Sequence, residues 1–262
     1  MPPFLSIVVP AYNEERRLPA TLQAILHFLA AQPFDAEIII ADDGSTDRTG
    51  QLVEQLMHEH RNLHLLKLDH RGKGFAVRAG ALAAQGTYVL LCDADLAVPI
   101  EEWHKLQPYC TQGYQVVIGS REGLGAQRLG EPRYRHFMGR VFNAVVRLVA
   151  LGGIQDTQCG FKAFHHEASQ HIFRSVQLYG ADAKLVQGAA VTAFDVEALF
   201  LARKFGYRIK EIPVLWRYGV ETKVDPLRDS LRNFGDVLRV RWNDLRGRYP
   251  SLHTAASETL PK

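Results

Sequence analysis

The chain has 262 residues, of which 47% are hydrophobic and 23% charged, and its formal net charge is +3. This is the composition of a globular protein with a sizeable core, and so small a charge does not by itself indicate nucleic-acid binding. The three cysteines lack C-x-x-C spacing, which argues against a disulfide framework or a zinc site and favours a reducing compartment.

In chain order, apolar strands alternate with helices over the first 120 residues. The predicted strands are 5–10, 37–41, 63–68, 87–92 and 114–120, and the predicted helices are 17–30, 46–59, 72–84 and 100–110. This alternation indicates βαβ units, and hence an α/β fold in which helices flank a mostly parallel central sheet. Strands that are almost continuously apolar indicate burial on both faces of the sheet.

The second half of the chain is less regular. We expect a mobile loop over 122–135, a helix over 136–151, a compact loop over 156–164, a helix from 166, a loop over 179–191, a helix over 194–207, a strand over 208–216 and a long amphipathic helix over 226–246. No repeat or linker interrupts the chain, so we predict a single domain over 1–248 and a flexible tail over 249–262. We expect no signal peptide and no membrane span, since no run of about 18 apolar residues is present.

Polar residues cluster where four predicted strands end. The clusters are 10–14, 42–45, 93–95 and 119–121. Ligands of parallel sheets bind at the carboxyl ends of the strands, so we expect one ligand site along this edge. In an extended segment Asp93 and Asp95 point to the same side and could share Mg²⁺ or Mn²⁺, whose charge would remove their mutual repulsion. The alternative is a solvated turn with two acidic residues.

Eight ordered motifs give the chain a resemblance to a known family. They are VVPAYNEE, ADDGSTDRT, GKGFAVRAG, DADLAVP, GSRE, DTQCGFKAF, FDVE and GYRIKEIPV. Together they resemble family 2 glycosyltransferases, more narrowly the dolichyl- and polyprenyl-phosphate glycosyltransferases, and most of all the dolichyl-phosphate β-glucosyltransferase branch. The resemblance spans residues 4–240. It implies a GT-A nucleotide-binding fold and transfer of a sugar, glucose, from a UDP sugar to a polyprenyl or dolichyl phosphate, with donor and acceptor halves over 1–120 and 121–248.

The resemblance also implies roles on the donor side. The loop that wraps the nucleotide contains Pro10, Ala11, Tyr12 and Glu14, with the tyrosine near the base and the glutamate on the ribose. One carboxylate of Asp42 and Asp43 accepts hydrogen bonds from uracil or ribose. The glycines around Lys73 and the N-terminus of its predicted helix indicate, apart from the resemblance, that Lys73 lies near a nucleotide phosphate or the base; the alternative is a solvated lysine.

At the D-x-D motif the resemblance places Asp93 near the sugar or ribose, and Asp95 on the metal. Mannosyltransferases of this group often carry a metal-binding glutamine two residues after the second aspartate. This chain has Ala97 there, so we expect water or phosphate to complete the metal shell.

On the acceptor side, the resemblance implies that Arg121, Arg135 and Lys223 bind the acceptor phosphate. A phosphate monoester is already anionic at neutral pH and can attack the anomeric carbon without a general base, in a single inverting displacement. A hydroxyl acceptor (a small hydroxy acid, a lipid or a polysaccharide) would need a base, and Asp156 is the candidate. Its ordinary role in such a loop is to bind its own backbone. A nucleotide-sugar-binding protein without catalysis is the third alternative.

The predicted C-terminal helix combines an apolar stripe with flanking arginines. Such a helix can lie on an anionic bilayer surface. Aspartates among the arginines instead favour a helix packed on the domain with a solvated face. We expect a cytoplasmic enzyme with peripheral contact at the inner face of the membrane and no nucleic-acid partner.

Overall fold

The computed structural model describes residues 2–186, 188, 193–219 and 226–250, and of these the side chains of 133, 135, 148 and 226–231 are not described. The strands are β1 (Leu5–Ala11), β2 (Ala36–Asp42), β3 (Leu63–Lys67), β4 (Tyr88–Leu91), β5 (Val116–Ser120), β6 (Gln127–Leu129), β7 (Lys162–His165), β8 (Ile209–Pro213) and β9 (Leu215–Arg217). The helices are α1 (Leu18–Ala30), α2 (Thr49–Met57), α3 (Lys73–Ala83), α4 (Trp103–Thr111), α5 (Arg133–Val149), α6 (His166–Ser175), α7 (Phe194–Lys204) and α8 (Pro226–Leu245).

Seven strands form one sheet in the order β3-β2-β1-β4-β7-β5-β8. All neighbouring pairs are parallel except those of β7, which runs antiparallel to both β4 and β5. The predicted α/β class with a mostly parallel, helix-flanked sheet is therefore confirmed. Because β1, β2, β4 and β5 are parallel to one another, their carboxyl ends share one edge, as the polar clusters predict.

Both faces of the sheet are buried, which explains the apolar strands. Along β1, Val8 faces one core together with residues of α3, α6 and α7. Its neighbours Ile7 and Val9 face the other core together with residues of α1 and α4. Successive strand residues point to opposite faces, so this alternation follows from the pleat. Burial on both sides holds the carboxyl edge of the sheet firmly in place.

Three predictions for the second half are wrong in detail. The predicted loop 156–164 ends in β7, whose residues Ala163 and Phe164 are buried in opposite cores. The predicted mobile loop 122–135 contains β6 and the start of α5. The predicted strand 208–216 is two strands: β8 completes the large sheet, whereas β9 pairs in parallel with β6 as a separate two-stranded sheet.

The packed domain continues beyond its predicted end. Tyr249, assigned to the tail, is buried, and its hydroxyl donates to Glu197 Oε1 at 2.8 Å. The rest of the predicted tail from 251 onward lies outside the described residues, as does Lys223.

Candidate active site

The D-x-D motif forms a turn at the end of β4, not the extended segment that we expected. The backbone N–H of Leu96 donates to the carbonyl of Asp93 at 3.0 Å, and Leu96 has a φ of 45°. The N–H of Ala97 donates to Asp95 Oδ1 at 3.0 Å. Asp95 is exposed, while Asp93 is partly buried beside the sheet. Although Asp95 as a residue is exposed, its carboxyl group is partly desolvated, and this desolvation together with the nearby Asp93 carboxylate raises the pKa of Asp95.

Lys73, at the start of α3, reaches the first aspartate of the motif. Its Nζ lies 2.6 Å from Asp93 Oδ1. Burial disfavours the charged form of Asp93, but the Lys73 ammonium outweighs it and holds the pKa of this carboxyl below its usual value. Asp93 therefore stays ionised near neutral pH. The loops after β3 and β4 are thereby joined at the carboxyl edge.

A second ion pair, buried beneath the first, was not predicted. Lys162 Nζ on β7 lies 2.5 Å from Asp195 Oδ1 on α7 and also donates to the carbonyl of Cys159. The Lys162 side chain is 1% exposed. Burial raises the pKa of Asp195 despite the nearby lysine. The positive charge of Lys162 also stabilises ionised Asp93.

Gly160 brings β7 close to the D-x-D motif. A Cβ at this position would overlap the carboxyl group of Asp93. Only glycine therefore permits the loop before β7 to pass so close to this carboxylate.

Arg121 and Asp156 form a bidentate ion pair. Asp156 Oδ2 accepts from Arg121 Nε at 2.7 Å and from its backbone N–H at 2.9 Å, while Oδ1 accepts from Nη2 at 2.8 Å. The Asp156 side chain is fully buried and that of Arg121 is 17% exposed. Although burial opposes both charges, each partner stabilises the other: the pKa of Asp156 falls far below its usual value and that of Arg121 rises.

The two-stranded sheet brings an aromatic residue to this ion pair. The Arg121 guanidinium lies 5.5 Å from the centre of the Trp216 ring. The backbone N–H of Arg217 donates to the carbonyl of Ala97 at 2.7 Å, which ties β9 to the D-x-D turn. The loops after β4 and β5 therefore lie near each other, and the charge of Arg121 helps to keep Asp93 ionised.

On the donor side, Tyr12 lies beside the loop that precedes α3. Its ring stacks on His70 with centres 3.9 Å apart and an interplanar angle of 2°. Asp43 accepts from the backbone N–H groups of Arg71 and Gly72 at 2.9 Å, and its Oδ2 lies 2.8 Å from His70 Nδ1. Burial raises the pKa of Asp43 despite these hydrogen bonds.

The other predicted donor residues make structural contacts at the same edge. Glu14 accepts from Arg17 Nε at 2.7 Å, and Asp42 Oδ1 accepts from the N–H of Ser45 at 3.0 Å. Pro10 and Ala11 are buried. These two residues therefore support the loop that carries Tyr12 and Glu14.

Asp93 and Asp95 provide the carboxylate ligands that a divalent ion would need from this chain. Within the described ranges, no three His, Cys, Asp or Glu side chains group as a metal site. Two carboxylates suit a hard cation such as Mg²⁺ or Mn²⁺ that takes its remaining ligands from phosphate and water. The residues therefore fit an ion shared with a substrate, not one enclosed by the protein.

For two predicted acceptor residues the structure gives no side-chain position. Arg135 lies on α5, but its side chain is not described, and Lys223 is outside the described residues.

Sequence reasoning missed Lys162, His70 and Arg71. A lone lysine in the otherwise apolar GFKAF is the signal for the buried pair, and the basic pair before GKG is the signal for the donor side. Neither signal reveals its partner, because Asp195 and Asp43 are distant in sequence.

The comparisons with known proteins agree with this geometry. The family model described as Glycosyl transferase family 2 matches residues 6–173. The dolichyl-phosphate beta-glucosyltransferase of Dictyostelium discoideum is 36% identical over 258 residues, which cover 93% of this chain and 76% of that protein. The Homo sapiens protein of the same name is 33% identical over 261 residues, with the same two coverages.

Solved structures show the same fold. Mannosyl-3-phosphoglycerate synthase from Rubrobacter xylanophilus superposes with a TM-score of 0.64 at 19% identity, covering 96% of this chain and 78% of that one. Glucosyl-3-phosphoglycerate synthase from Mycobacterium tuberculosis, in complex with Mn²⁺, UDP-glucose and glycerol 3-phosphate, superposes with a TM-score of 0.60 at 20% identity, covering 91% and 80%. The expected GT-A fold is confirmed.

Proposed function

The chain belongs to glycosyltransferase family 2, and on that premise we propose that it transfers glucose from UDP-glucose to a polyprenyl or dolichyl phosphate. The names of the curated relatives support this acceptor class. The observation that carries the proposal is the Arg121–Asp156 pair, which presents a fixed cation next to the D-x-D turn and leaves Asp156 engaged by hydrogen-bond donors on both oxygens.

Asp93 and Asp95 would hold Mg²⁺ or Mn²⁺. When bound, such an ion would stabilise the negative charge that develops on the departing nucleoside diphosphate. Lys73 adds a fixed positive charge at the same place, since its ammonium is held by Asp93. Tyr12 packs against the base, and Asp42, Asp43 and Glu14 shape the loops around it.

Arg121 binds the acceptor phosphate through the guanidinium N–H groups that Asp156 does not engage, since Asp156 takes Nε and one N–H of Nη2. Arginine suits this role because its planar fork binds phosphate oxygens in pairs. The acceptor oxygen is anionic and attacks the anomeric carbon directly, so the sugar is transferred with inversion and no protein base is required. The depressed pKa of Asp156 and its hydrogen bonds to Arg121 disfavour the alternative with a hydroxyl acceptor, in which Asp156 would accept a proton.

Peripheral membrane contact through α8 is part of the proposal. Its exposed apolar side chains are Phe234, Leu238, Trp242 and Leu245, which are 41% to 74% exposed. They are three or four residues apart and so form one stripe, opposite the buried Val237 and Val240.

Asp236 and Asp244 are the acidic residues of α8 whose side chains are described. Asp236 is 3% exposed and pairs with Arg239 at 3.3 Å, and Asp244 pairs with Lys204 at 2.7 Å. Arg239 and Arg246 are exposed, which suits an anionic bilayer surface. Among the described helices, none is both long and apolar enough to cross a membrane.

Flotation with phosphatidylserine vesicles tests the membrane contact. We expect Trp242→Ser to weaken binding about tenfold, because burying a tryptophan side chain contributes strongly to interfacial binding. Leu124→Ser is the matched control, since Leu124 is an exposed apolar residue away from α8. Equal binding of the two variants would contradict the assignment of the membrane face to α8.

A donor screen tests the proposed reaction. The purified chain is given Mn²⁺, dolichyl phosphate and either UDP-glucose, UDP-N-acetylglucosamine or GDP-mannose, and lipid-linked sugar is measured. We expect transfer from UDP-glucose, and about a hundredfold loss with Arg121→Lys, because the bidentate contact is removed. Arg147→Lys on the exposed side of α5 should keep full activity. Transfer from GDP-mannose alone would refute the proposed donor.

A further inference from the structure

Residues 179–186 and Gly188 lie against the loop that precedes α3. Arg71 Nη1 donates to the carbonyl oxygens of Ala181 at 2.9 Å and Ala183 at 3.1 Å. The backbone N–H of Val186 donates to the carbonyl of His70 at 3.0 Å. A segment with no regular secondary structure is thus tethered at three points to residues 70 and 71.

His70 joins this segment to the donor side of the site. Its Nδ1 lies 2.8 Å from Asp43 Oδ2, and its Nε2 lies 3.0 Å from the carbonyl oxygen of Gly188. The Gly188 oxygen can only accept, so Nε2 must donate to it. The ring face is stacked on Tyr12 at the same time. One side chain therefore contacts the ends of β1 and β2 and the segment.

The first residue of the segment is fixed from the other side. The Tyr179 hydroxyl donates to Asp236 Oδ2 on α8 at 2.6 Å. The Tyr179 ring lies so close to Gly74 that a Cβ there would overlap it. The segment therefore covers the turn that leads into α3, where Lys73 holds Asp93.

We propose that residues 179–186 and Gly188 complete the donor site, and that His70 and Arg71 are positioning residues that hold this segment beside Tyr12, Asp43 and Lys73. The ligand of the completed site is the nucleoside diphosphate of the donor, so the inference rests on the proposed function. His70 keeps the Tyr12 ring in place for the base. Arg71 fixes the loop that carries Lys73.

Trypsin cleavage after the exposed Lys184 tests the tether without any donor. His70→Asn keeps an amide donor near Asp43 but is too short to reach Gly188. Arg71→Lys keeps the charge but removes Nη1, the nitrogen that donates to the carbonyls of Ala181 and Ala183. We expect cleavage about tenfold faster in both variants, because each loses hydrogen bonds made by a charged or strongly polar group. His58→Asn, at an exposed histidine after α2, is the control and should match the wild type. Unchanged cleavage in both variants would overturn the proposal.

Steady-state kinetics test the role in donor binding. We expect the donor KM to rise about tenfold in both variants, while kcat and the acceptor KM change less than about twofold. Faster cleavage with an unchanged donor KM would overturn the proposal, as would a loss confined to kcat. If the wild type uses a nucleoside-diphosphate sugar other than UDP-glucose, the proposed donor fails, and the same comparison is made with the sugar that it uses.

Discussion

Replacing Asp156 with asparagine separates a positioning role from a role as general base. In the native site the two carboxylate oxygens accept three hydrogen bonds from Arg121, and Oδ1 also accepts from the backbone N–H of Gln158 at 3.1 Å. Asparagine keeps the shape of the side chain, but one of its two terminal atoms is an NH₂ group that points at donors. The substitution also leaves the Arg121 charge without its partner.

The expected cost follows from burial. Asp156 is fully buried and Arg121 is 17% exposed, so solvent screens the pair only weakly. Removing one partner of such a pair costs about 3–5 kcal/mol, and the one acceptor that asparagine retains places the effect near the lower end, at about 3 kcal/mol. Urea denaturation at neutral pH measures this loss of unfolding free energy.

Kinetics of the same variant distinguish the two roles. If Asp156 positions Arg121, the acceptor KM rises and the shape of the pH–rate profile is unchanged. If Asp156 is a general base, kcat falls about 10²–10⁴-fold and the acidic limb of the profile, where the base becomes protonated, disappears. A variant that keeps wild-type stability and acceptor KM but loses kcat in this way would refute our reasoning.

Three further predictions concern the same site. Asp95→Ala should lower transfer, measured as lipid-linked sugar, at least about a hundredfold. Because Asp95 is exposed, the free energy of unfolding should change by less than about 0.5 kcal/mol. Near-normal transfer rates would contradict the metal assignment. Gly160→Ala should lower the unfolding free energy by about 1–3 kcal/mol in urea, because its Cβ would overlap the Asp93 carboxyl; wild-type stability would show that this approach is not close. Because its pKa is depressed in the folded state, Asp156 stabilises the fold above its unfolded pKa of about 3.9, and this contribution is lost as the pH falls further. The difference in unfolding free energy between wild type and Asp156→Asn should therefore become smaller from pH 7 to about pH 3. An unchanged difference would count against the ion pair.

The first half of the fold could be predicted from the sequence because its signals are local. Each strand is an apolar run that is followed by a polar turn and a helical stripe, and parallel pairing then brings the strand ends together. The meeting of Asp93, Asp95 and Arg121 at one edge follows from this rule alone.

The second half could not be predicted in the same way, because tertiary packing decides it. β7 has four residues and begins with Lys162, so it gives no apolar run, yet it lies inside the sheet between β4 and β5. Its lysine is tolerated there because Asp195 neutralises it. Only Val214 lies between β8 and β9 in the sequence, and the two strands differ in their pairing partners. The turn at the D-x-D motif depends likewise on the positive φ of Leu96.

The central claim is that the acceptor is a phosphate held by Arg121. The most direct measurement compares dolichyl phosphate with dolichol, two lipids that differ only in the phosphate, using UDP-glucose and Mn²⁺. We predict lipid-linked glucose with dolichyl phosphate, and with dolichol a rate lower by at least about a hundredfold, because the hydroxyl would need a base that the site does not offer. Comparable transfer to dolichol would contradict the account.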